Sequence, residues 1–248
     1  MRKIIVSMLT VFMISSSIGI TSVGASVSDS KLDNLNKNLE KIVDLQPGVS
    51  FEEMKETVSI YAEEINKTEL EASKEILEEI NYQIEQDEEE MAQLAGGSSG
   101  KYKLKPAKRK GDIFYTPSST LGIKHGHNGI YYTKTKIVES IPKTGVRTLG
   151  YNKRNVEKYA VMQYVKTSQT KRNKAANWAH SRSNKDKYSY NFATNRKTSH
   201  YGKKNCSKLL WSAYKLKAKI DIDKNKGSGV YPKDIRNSPK VVTYKTIK

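Results

Sequence analysis

Apolar residues recur at helical spacing in the first third of the chain. The first stripe consists of Leu32, Leu35, Leu39 and Ile42. Residues three or four positions apart share one face of an α-helix. Two more stripes follow, and each begins at a capping box in which Ser50 precedes Glu53 and Thr68 precedes Glu71 by three positions. The pattern predicts three helices that end near residue 95.

From residue 111 onward the pattern changes to short apolar runs bounded by turn residues, which is typical of strands. The predicted strands cover residues 112–115, 127–132, 136–139 and 160–166. Helical spacing returns in residues 175–179 and 206–216, while residues 188–192 form an aromatic loop or a short strand. The second of these helices places Cys206 at or near a helix N-terminus.

The N-terminal residues have the features of an export signal. Arg2 and Lys3 precede an apolar stretch over residues 4–20, and small residues stand at 23–25. This pattern predicts that residues 1–25 are a cleaved signal peptide. A membrane anchor is the alternative, but the uninterrupted apolar part is short for a span. We therefore expect a secreted protein that is either extracellular or associated with the cell wall.

The net charge of +18 conceals two halves of opposite sign. Residues 26–95 contain 19 acidic and 6 basic residues, a net charge of −13, whereas residues 96–248 contain 7 acidic and 36 basic residues, a net charge of +29. The acidic helical region 26–95 is either a solvated surface or an intramolecular mask for the basic half. The basic half favours an anionic wall polymer or a membrane surface as partner. No nucleic-acid motif accompanies the charge, so we expect no specific nucleic acid.

A flexible segment separates the two halves. Residues 96–100 contain only glycine and serine, and residues 101–110 are rich in lysine. We predict a basic flexible linker over residues 96–110, before a domain over residues 111–248. The linker could also bind an anionic polymer or serve as a protease-sensitive junction.

The chain has one cysteine, so no disulfide can form within it. A secreted protein with one cysteine either pairs it between chains or keeps a reactive thiol, and a buried structural cysteine is the alternative. Cys206 at a helix N-terminus, next to Lys203 and Lys204, favours a stabilised thiolate. The Cys206 backbone N–H would be a natural oxyanion donor.

A base for this thiol is found on the predicted strands. A hairpin centred on Thr133 would place His127 directly opposite Glu139, so that the carboxylate holds one ring nitrogen and the other accepts a proton. Taken singly, His127 is better explained as a surface strand histidine and Glu139 as a solvated strand end, and His125 competes as the base. A thiol, a histidine and an orienting carboxylate suit covalent acyl transfer. No cofactor and no metal are expected.

Two segments carry a family resemblance. Residues 111–114 (GDIF) and 126–131 (GHNGIY) resemble the "GD-(I/L)" and "HVGIY" segments of the NlpC-type papain-like cell-wall hydrolases. The chain order His, Glu, Cys resembles the circularly permuted YiiX/YaeF-like branch, whose "yCSeLvw.aY" helix is similar to residues 205–214 (NCSKLLWSAY). The resemblance implies an α+β, circularly permuted papain-like fold with a small antiparallel barrel, preceded here by the acidic helical segment. It implies Cys206 as nucleophile, His127 as base and Glu139 as third polar residue.

The chain departs from the family pattern at two positions. Asn128 replaces an apolar residue after the histidine, and Lys208 replaces an acidic residue and adds positive charge near the thiol. The expected function is a secreted cysteine hydrolase that cleaves an amide or peptide bond, for example in cell-wall peptide. The alternatives are a lipid or ester acyl hydrolase or acyltransferase that uses the same three residues, and a non-catalytic module that binds polyanions.

Overall fold

The computed structural model of the chain describes residues 23–93, 102–120 and 123–248. They form an α+β structure with antiparallel sheets. Most of the predicted signal peptide 1–25 and the Gly/Ser part of the predicted linker lie outside the described residues. Within these ranges, no helix combines the length and the apolar character that crossing a membrane requires.

Three helices form the N-terminal part, as predicted. They are α1 (Val23–Asp44), α2 (Phe51–Ile65) and α3 (Glu69–Gln93), and residues 23–93, with the loops between these helices, are called the helical unit below. Their apolar stripes meet in one buried cluster that includes Leu39, Ile42, Met54, Val58, Ile76 and Ile80. At both predicted capping boxes the N-cap side chain accepts a hydrogen bond from its helix. The Ser50 hydroxyl accepts a hydrogen bond from the Glu53 N–H at 3.1 Å, and Thr68 and Glu71 bond reciprocally.

Within the described residues after the helical unit there are ten strands, and six of them form one sheet. The strands are β1 (Tyr102–Lys103), β2 (Ile113–Thr116), β3 (Ser119–Thr120), β4 (Ile123–Lys124), β5 (His127–Tyr131), β6 (Lys136–Ile141), β7 (Gly145–Gly150), β8 (Asn155–Val156), β9 (Val161–Val165) and β10 (Val241–Thr246). The six-stranded sheet has the order β10-β9-β2-β5-β6-β7 and is antiparallel throughout. The other two sheets are the pairs β1–β8 and β3–β4.

The prediction of a small barrel is wrong, because the six-stranded sheet is open within the described residues. β7 and β10 are its edge strands and do not pair with each other. The free edge of β7 is occupied by a loop instead. The Val146 N–H donates to the Asp186 carbonyl at 2.9 Å, and the Asn184 N–H donates to the Val146 carbonyl at 2.8 Å. These bonds satisfy backbone groups at the edge of β7 without closing the sheet into a barrel.

Three helices complete the fold, namely α4 (Gln169–Ser181), α5 (Cys206–Ala218) and α6 (Pro232–Arg236). The helices α4 and α5 pack on one face of the sheet, where Ile130 and Val138 meet Leu209, Leu210 and Ala213. On the other face Phe114, Tyr131 and Met162 form a second cluster. The sheet is therefore covered on both faces.

Residues 102–110, which we predicted as part of a flexible linker, are folded. β1 pairs with β8, and Leu104 and Ala107 are buried in the second cluster of the sheet. These two apolar residues between the lysines anchor the segment, since burying them removes apolar surface from water. Residues 102–120 and 123–248 are called the sheet domain below.

The helical unit contacts the sheet domain through side chains of α2, α3 and the α1–α2 loop. The Glu79 carboxylate accepts hydrogen bonds from the Ser228 N–H and hydroxyl at 3.0 and 2.9 Å. The Gln46 amide oxygen accepts from the Phe192 N–H at 2.9 Å. The Tyr115 hydroxyl donates to Glu90 at 2.5 Å. These contacts lie around the loop before α5 and the start of α6.

Candidate active site

Cys206 is the first residue of α5, as predicted. Asn205 caps the helix, because its side-chain oxygen accepts a hydrogen bond from the Lys208 N–H at 2.9 Å. The Asn205 amide also donates to the Asn191 carbonyl at 2.8 Å, which ties the helix start to the preceding loop. The cap thus fixes the position of the cysteine.

The surroundings of Cys206 differ from those predicted. The thiol is buried and packs with Phe192 and Tyr231. Burial raises the pKa of the Cys206 thiol to about 11, although the backbone N–H groups of Asn128 and Ser207 and the charge of Arg154 favour the thiolate. The resting thiol is therefore protonated at neutral pH.

The lysines expected to stabilise a thiolate are occupied elsewhere. Lys203 is exposed, and buried Lys204 forms an ion pair with Asp186. Lys208 donates to the Thr198 carbonyl at 2.9 Å and lies over the Trp211 ring. Positive charge near a cysteine in the sequence is not positive charge at its sulfur, because Lys204 and Lys208 are held by other partners and Lys203 is exposed to solvent.

His127 and Glu139 are paired, but by a different register from the predicted one. The His127 Nε2 atom lies 2.8 Å from the Glu139 Oε2 atom, and both side chains are buried. In the sheet Tyr131 faces Ile137, so the hairpin centres on residue 134 rather than on Thr133. Glu139 is therefore diagonal to His127 rather than directly opposite. A shift of two positions along one strand keeps a side chain on its face, which is why the contact survives.

Two arginines that the sequence reasoning missed hold the other side of Glu139. Arg147 lies directly opposite Glu139 in the β6–β7 pair and donates to Glu139 Oε1 from Nε at 2.9 Å and from Nη2 at 2.7 Å. Arg154 Nε lies 3.5 Å from Glu139 Oε2. Burial alone would raise the pKa of Glu139, but His127, Arg154 and Arg147 lower it to about 2. The carboxylate is therefore ionised.

Arg147 could have been found in the sequence. Residues 141–145 contain Pro142 and Gly145, which are turn residues, and residues 145–150 follow as a possible strand. Pairing that strand with β6 across the turn would have placed Arg147 beside Glu139. Arg154 lies after the end of β7 and has no comparable signal in the pattern.

The His127 ring is neutral at rest and has a defined tautomer. Burial lowers the pKa of His127 to about 4, with the charge of Arg154 acting in the same direction and Glu139 opposing it. An ionised carboxylate only accepts hydrogen bonds, so His127 Nε2 carries the proton and Nδ1 has the lone pair. Phe114 packs on the imidazole with ring centroids 5.9 Å apart. Gly129 leaves room for that ring, since a Cβ there would lie 2.5 Å from Phe114 Cε1.

His125, the competing histidine, has no carboxylate partner among the described residues. Its Nδ1 atom lies 2.5 Å from the Gly126 carbonyl oxygen, and its ring stacks on Phe192 at 4.5 Å. Burial lowers the pKa of His125 to about 4. The histidine that a carboxylate orients is therefore His127.

A curated relative decides the family. The chain is 44% identical over 232 residues to the uncharacterized protein YycO from Bacillus subtilis (strain 168), and the match covers 90% of this chain and 92% of YycO. The chain belongs to the YycO family. No protein-family model matches it. Among solved structures it is similar to the metalloprotein yiiX from Escherichia coli O157:H7, at 16% identity and a TM-score of 0.43, over 58% of this chain and 98% of yiiX.

The strand β5, which begins with His127, packs through Ile130 against the helix α5, which begins with Cys206. The backbone N–H of Asn128, the residue after His127, is one of the groups that lower the pKa of the Cys206 thiol against the effect of burial. Within the described residues no group of three or more His, Cys, Asp or Glu side chains is arranged to hold a metal ion. The described residues thus contain a buried thiol and, on a strand that packs against its helix, a histidine that a carboxylate orients.

Proposed function

We propose that this YycO-family protein is a secreted thiol hydrolase that cleaves an amide or peptide bond, with Cys206 as nucleophile, His127 as base and Glu139 as orienting residue. The observation that carries the proposal is the 2.8 Å contact between His127 Nε2 and Glu139 Oε2. It leaves Nδ1 as the ring nitrogen that can accept a proton, and the backbone N–H of the next residue, Asn128, favours the Cys206 thiolate.

The reaction starts from a neutral thiol and a neutral imidazole. As the Cys206 sulfur forms a bond to the substrate carbonyl carbon, its proton passes to His127 Nδ1, and the carbonyl π pair moves to oxygen. The oxyanion lies by the Cys206 N–H at the start of α5. The carbon–nitrogen bond then breaks, and the imidazolium gives its proton to the leaving amine. Water, deprotonated by His127, hydrolyses the thioester and regenerates the thiol.

Glu139 contributes most after the first proton transfer. The ionised carboxylate is already in place and stabilises the imidazolium that forms on His127. Arg147 offsets the cost of burying this charge before the reaction, because it donates two hydrogen bonds to the carboxylate oxygen that His127 does not use. The site is thus organised for a charge that appears only during turnover.

The substrate, the location and the finer fold belong to the same proposal. The resemblance to the permuted NlpC-type papain-like enzymes supports a permuted papain-like fold and cell-wall peptide as substrate. The N-terminal pattern supports export to the cell surface. The excess of basic residues in the sheet domain supports an anionic wall polymer or membrane surface as the place where the enzyme acts.

Residues 26–95 are proposed to restrain this activity. Phe192 packs against Cys206, and its N–H is held by Gln46 of the helical unit. The helical unit therefore fixes the backbone of a residue whose ring is buried in one cluster with the thiol. Release of this contact would expose the thiol to substrate, so we propose that the acidic segment is an intramolecular inhibitor.

The test is digestion of purified peptidoglycan by the purified full-length protein, followed by mass spectrometry and by assay of new amino groups. We expect new amino groups with the wild type and a loss of at least about a thousandfold in Cys206→Ala, because the nucleophile is removed. Thermal unfolding of both proteins serves as the control for folding.

Two comparators separate the alternative functions. An activated short-chain ester and phospholipid vesicles test for lipid or ester hydrolysis, and binding to teichoic acid by Cys206→Ala tests for a polyanion-binding module. Turnover of ester or lipid without release of amino groups would replace the amide assignment. Equal activity in wild type and Cys206→Ala would overturn the thiol mechanism.

A further inference from the structure

Four buried polar atoms in the region of Cys206 have no hydrogen-bond partner within the part of the chain that the structure describes. They are His125 Nε2, Asn128 Oδ1, Asn128 Nδ2 and the Tyr231 hydroxyl. The three residues are 6%, 1% and 4% exposed. An unpaired buried polar group costs about 1–3 kcal/mol of stability, so such groups in a native protein usually form a hydrogen bond with a water molecule or a ligand.

Two of the three side chains are linked to Cys206 through Phe192. Tyr231, Phe192 and Cys206 form one buried cluster, and the Phe192 and Tyr231 rings stack with centroids 6.1 Å apart. The His125 ring stacks on Phe192 at 4.5 Å. His125 and Tyr231 therefore both contact the ring that packs against the thiol.

The Asn128 amide faces the start of the cysteine helix. The strand β5 that carries Asn128 packs against α5, which begins at Cys206, and the Asn128 N–H is one of the groups that lower the pKa of the Cys206 thiol against the effect of burial. Along β5 the Asn128 side chain points to the same face as Ile130, because alternate strand residues share a face. Ile130 packs on that face with Leu209 and Leu210 of α5. The amide thus lies on the side of the sheet where α5 begins.

The free atoms have a defined and uncharged hydrogen-bonding character. His125 Nδ1 donates to the Gly126 carbonyl, which leaves Nε2 as an acceptor in the neutral ring. The Asn128 amide offers one acceptor and donors, and the Tyr231 hydroxyl can donate. A ligand that satisfies them needs both an N–H donor and a C=O acceptor. An amide has both, whereas an ester or an acyl chain has no donor for His125 Nε2.

We infer that His125, Asn128 and Tyr231 form the recognition site for an amide group of the substrate, and that Asn128 makes the Cys206 centre select amides over esters. The inference rests on the proposed function and names its substrate class. Asn128 is one of the two departures from the pattern of the NlpC-type enzymes, which have an apolar residue there. The selectivity is therefore a property of this chain, and a valine at this position would remove it.

Two matched alkylating probes test this selectivity, iodoacetamide and methyl iodoacetate. Each reacts by formation of a bond between the Cys206 sulfur and the methylene carbon, loss of iodide and transfer of the thiol proton to His127. The chain has one cysteine, so intact-mass spectrometry with peptide mapping follows that residue alone. The readout is the ratio of the amide-probe rate to the ester-probe rate, divided by the same ratio for glutathione.

We expect a normalised ratio of about ten in the wild type, the effect of one additional net hydrogen bond of ordinary strength. Asn128→Val should bring the ratio close to one. Tyr231→Phe removes only the hydroxyl and should lower the ratio severalfold, so it keeps the test usable if Asn128→Val does not fold. The control is Tyr214→Phe, which removes another buried hydroxyl, one that donates to the Gly111 carbonyl, and should leave the ratio unchanged.

The outcomes separate this inference from the proposed function. A wild-type ratio close to one, or a ratio that neither Asn128→Val nor Tyr231→Phe lowers, would overturn amide recognition and leave these groups to water alone. If His127→Asn alkylates as fast as the wild type with both probes, the base assignment fails instead. A ratio that falls in Asn128→Val and Tyr231→Phe but is unchanged in Tyr214→Phe supports the inference.

Discussion

Glu139 is fully buried and nevertheless ionised, because its two oxygens have separate partners. Arg147 takes one oxygen with two hydrogen bonds, while His127 and Arg154 share the other. Removal of one partner of a buried pair leaves an uncompensated charge, which costs far more than the intact pair contributes. The same carboxylate sets the tautomer of the base, so stability and activity should change together when it is altered.

For Glu139→Gln we expect a loss of about 3–5 kcal/mol in the free energy of unfolding, since both arginines lose their carboxylate. Turnover should fall on the order of 10³- to 10⁴-fold, because the imidazolium is no longer stabilised. Denaturant unfolding and steady-state rates measure the two effects.

Arg147→Met provides the matched comparison for that variant. It leaves the His127–Glu139 contact in place and should reduce turnover less than Glu139→Gln does. In the double variant the stability losses should fall short of their sum by about 1–3 kcal/mol, since the two residues interact directly. Strictly additive losses would show that Arg147 does not support Glu139.

The sequence could predict which side chains meet, but not their protonation. His127 and Glu139 share a face through strand alternation, and this survived a hairpin shift of two residues. The Thr133 hydroxyl accepts hydrogen bonds from the Thr135 and Lys136 N–H groups, which places the turn later than symmetry suggested. The raised pKa of Cys206 depends on burial by Phe192 and Tyr231, which come from separate segments and are not visible in local pattern.

The helix α5 positions the nucleophile through its first residue. Its N-cap residue, Asn205, is buried. The side-chain oxygen of Asn205 accepts hydrogen bonds from the Lys208 N–H and from the Ser207 hydroxyl. In the N-cap residue of α4, Ser168, the side-chain hydroxyl accepts one hydrogen bond, from the Lys171 N–H at 3.3 Å. The two caps have the same local role in different surroundings, so they form a natural pair for comparison.

We expect Asn205→Ala to lower the free energy of unfolding by about 2 kcal/mol or more and to reduce turnover, because the cap and its buried partners are lost together. Ser168→Ala should cost only about 1 kcal/mol and leave turnover unchanged. Thermal unfolding and peptidoglycan turnover distinguish them. Equal loss of turnover in both variants would mean that Asn205 acts through stability alone.

Elements with strong periodicity were predictable, and elements defined by their neighbours were not. The three N-terminal helices, α4 and α5 follow from apolar spacing and capping residues. β7 and β10 were missed because their edge positions leave them partly exposed and polar. The expected barrel came from family resemblance rather than from the pattern, and the loop on the edge of β7 shows why the sheet stays open.

The charge asymmetry of the chain has a structural counterpart in the contact between its two parts. Acidic residues of α3 meet basic residues of α6, where Lys233 and Arg236 form ion pairs with Glu90. These pairs are largely buried and so are less screened by salt than surface pairs. The opposite charges of the two halves predicted a contact between them. The fold adds that the helical unit also holds the Phe192 loop, through Gln46.

Weakening this contact should increase access to the thiol. In Glu90→Gln the ion pairs with Lys233 and Arg236 lose their charge, and we expect Cys206 alkylation and turnover to rise by about threefold to tenfold, equivalent to no more than ~1.4 kcal/mol of destabilised contact. Lys67→Gln, which removes a partly exposed ion pair with Glu75 inside the helical unit, is the control and should change neither rate. Equal rates in all three proteins would rule out inhibition by the helical unit.

The most direct test is to trap the covalent intermediate. Peptidoglycan turnover is quenched with acid, and the peptide that contains Cys206 is examined by mass spectrometry. We expect an added mass equal to the acyl part of the cleaved substrate, bound through a thioester, that forms more slowly in His127→Asn and is absent in Cys206→Ala. Continued turnover in Cys206→Ala, with no adduct on the wild-type cysteine, would contradict the assignment of Cys206 as the nucleophile.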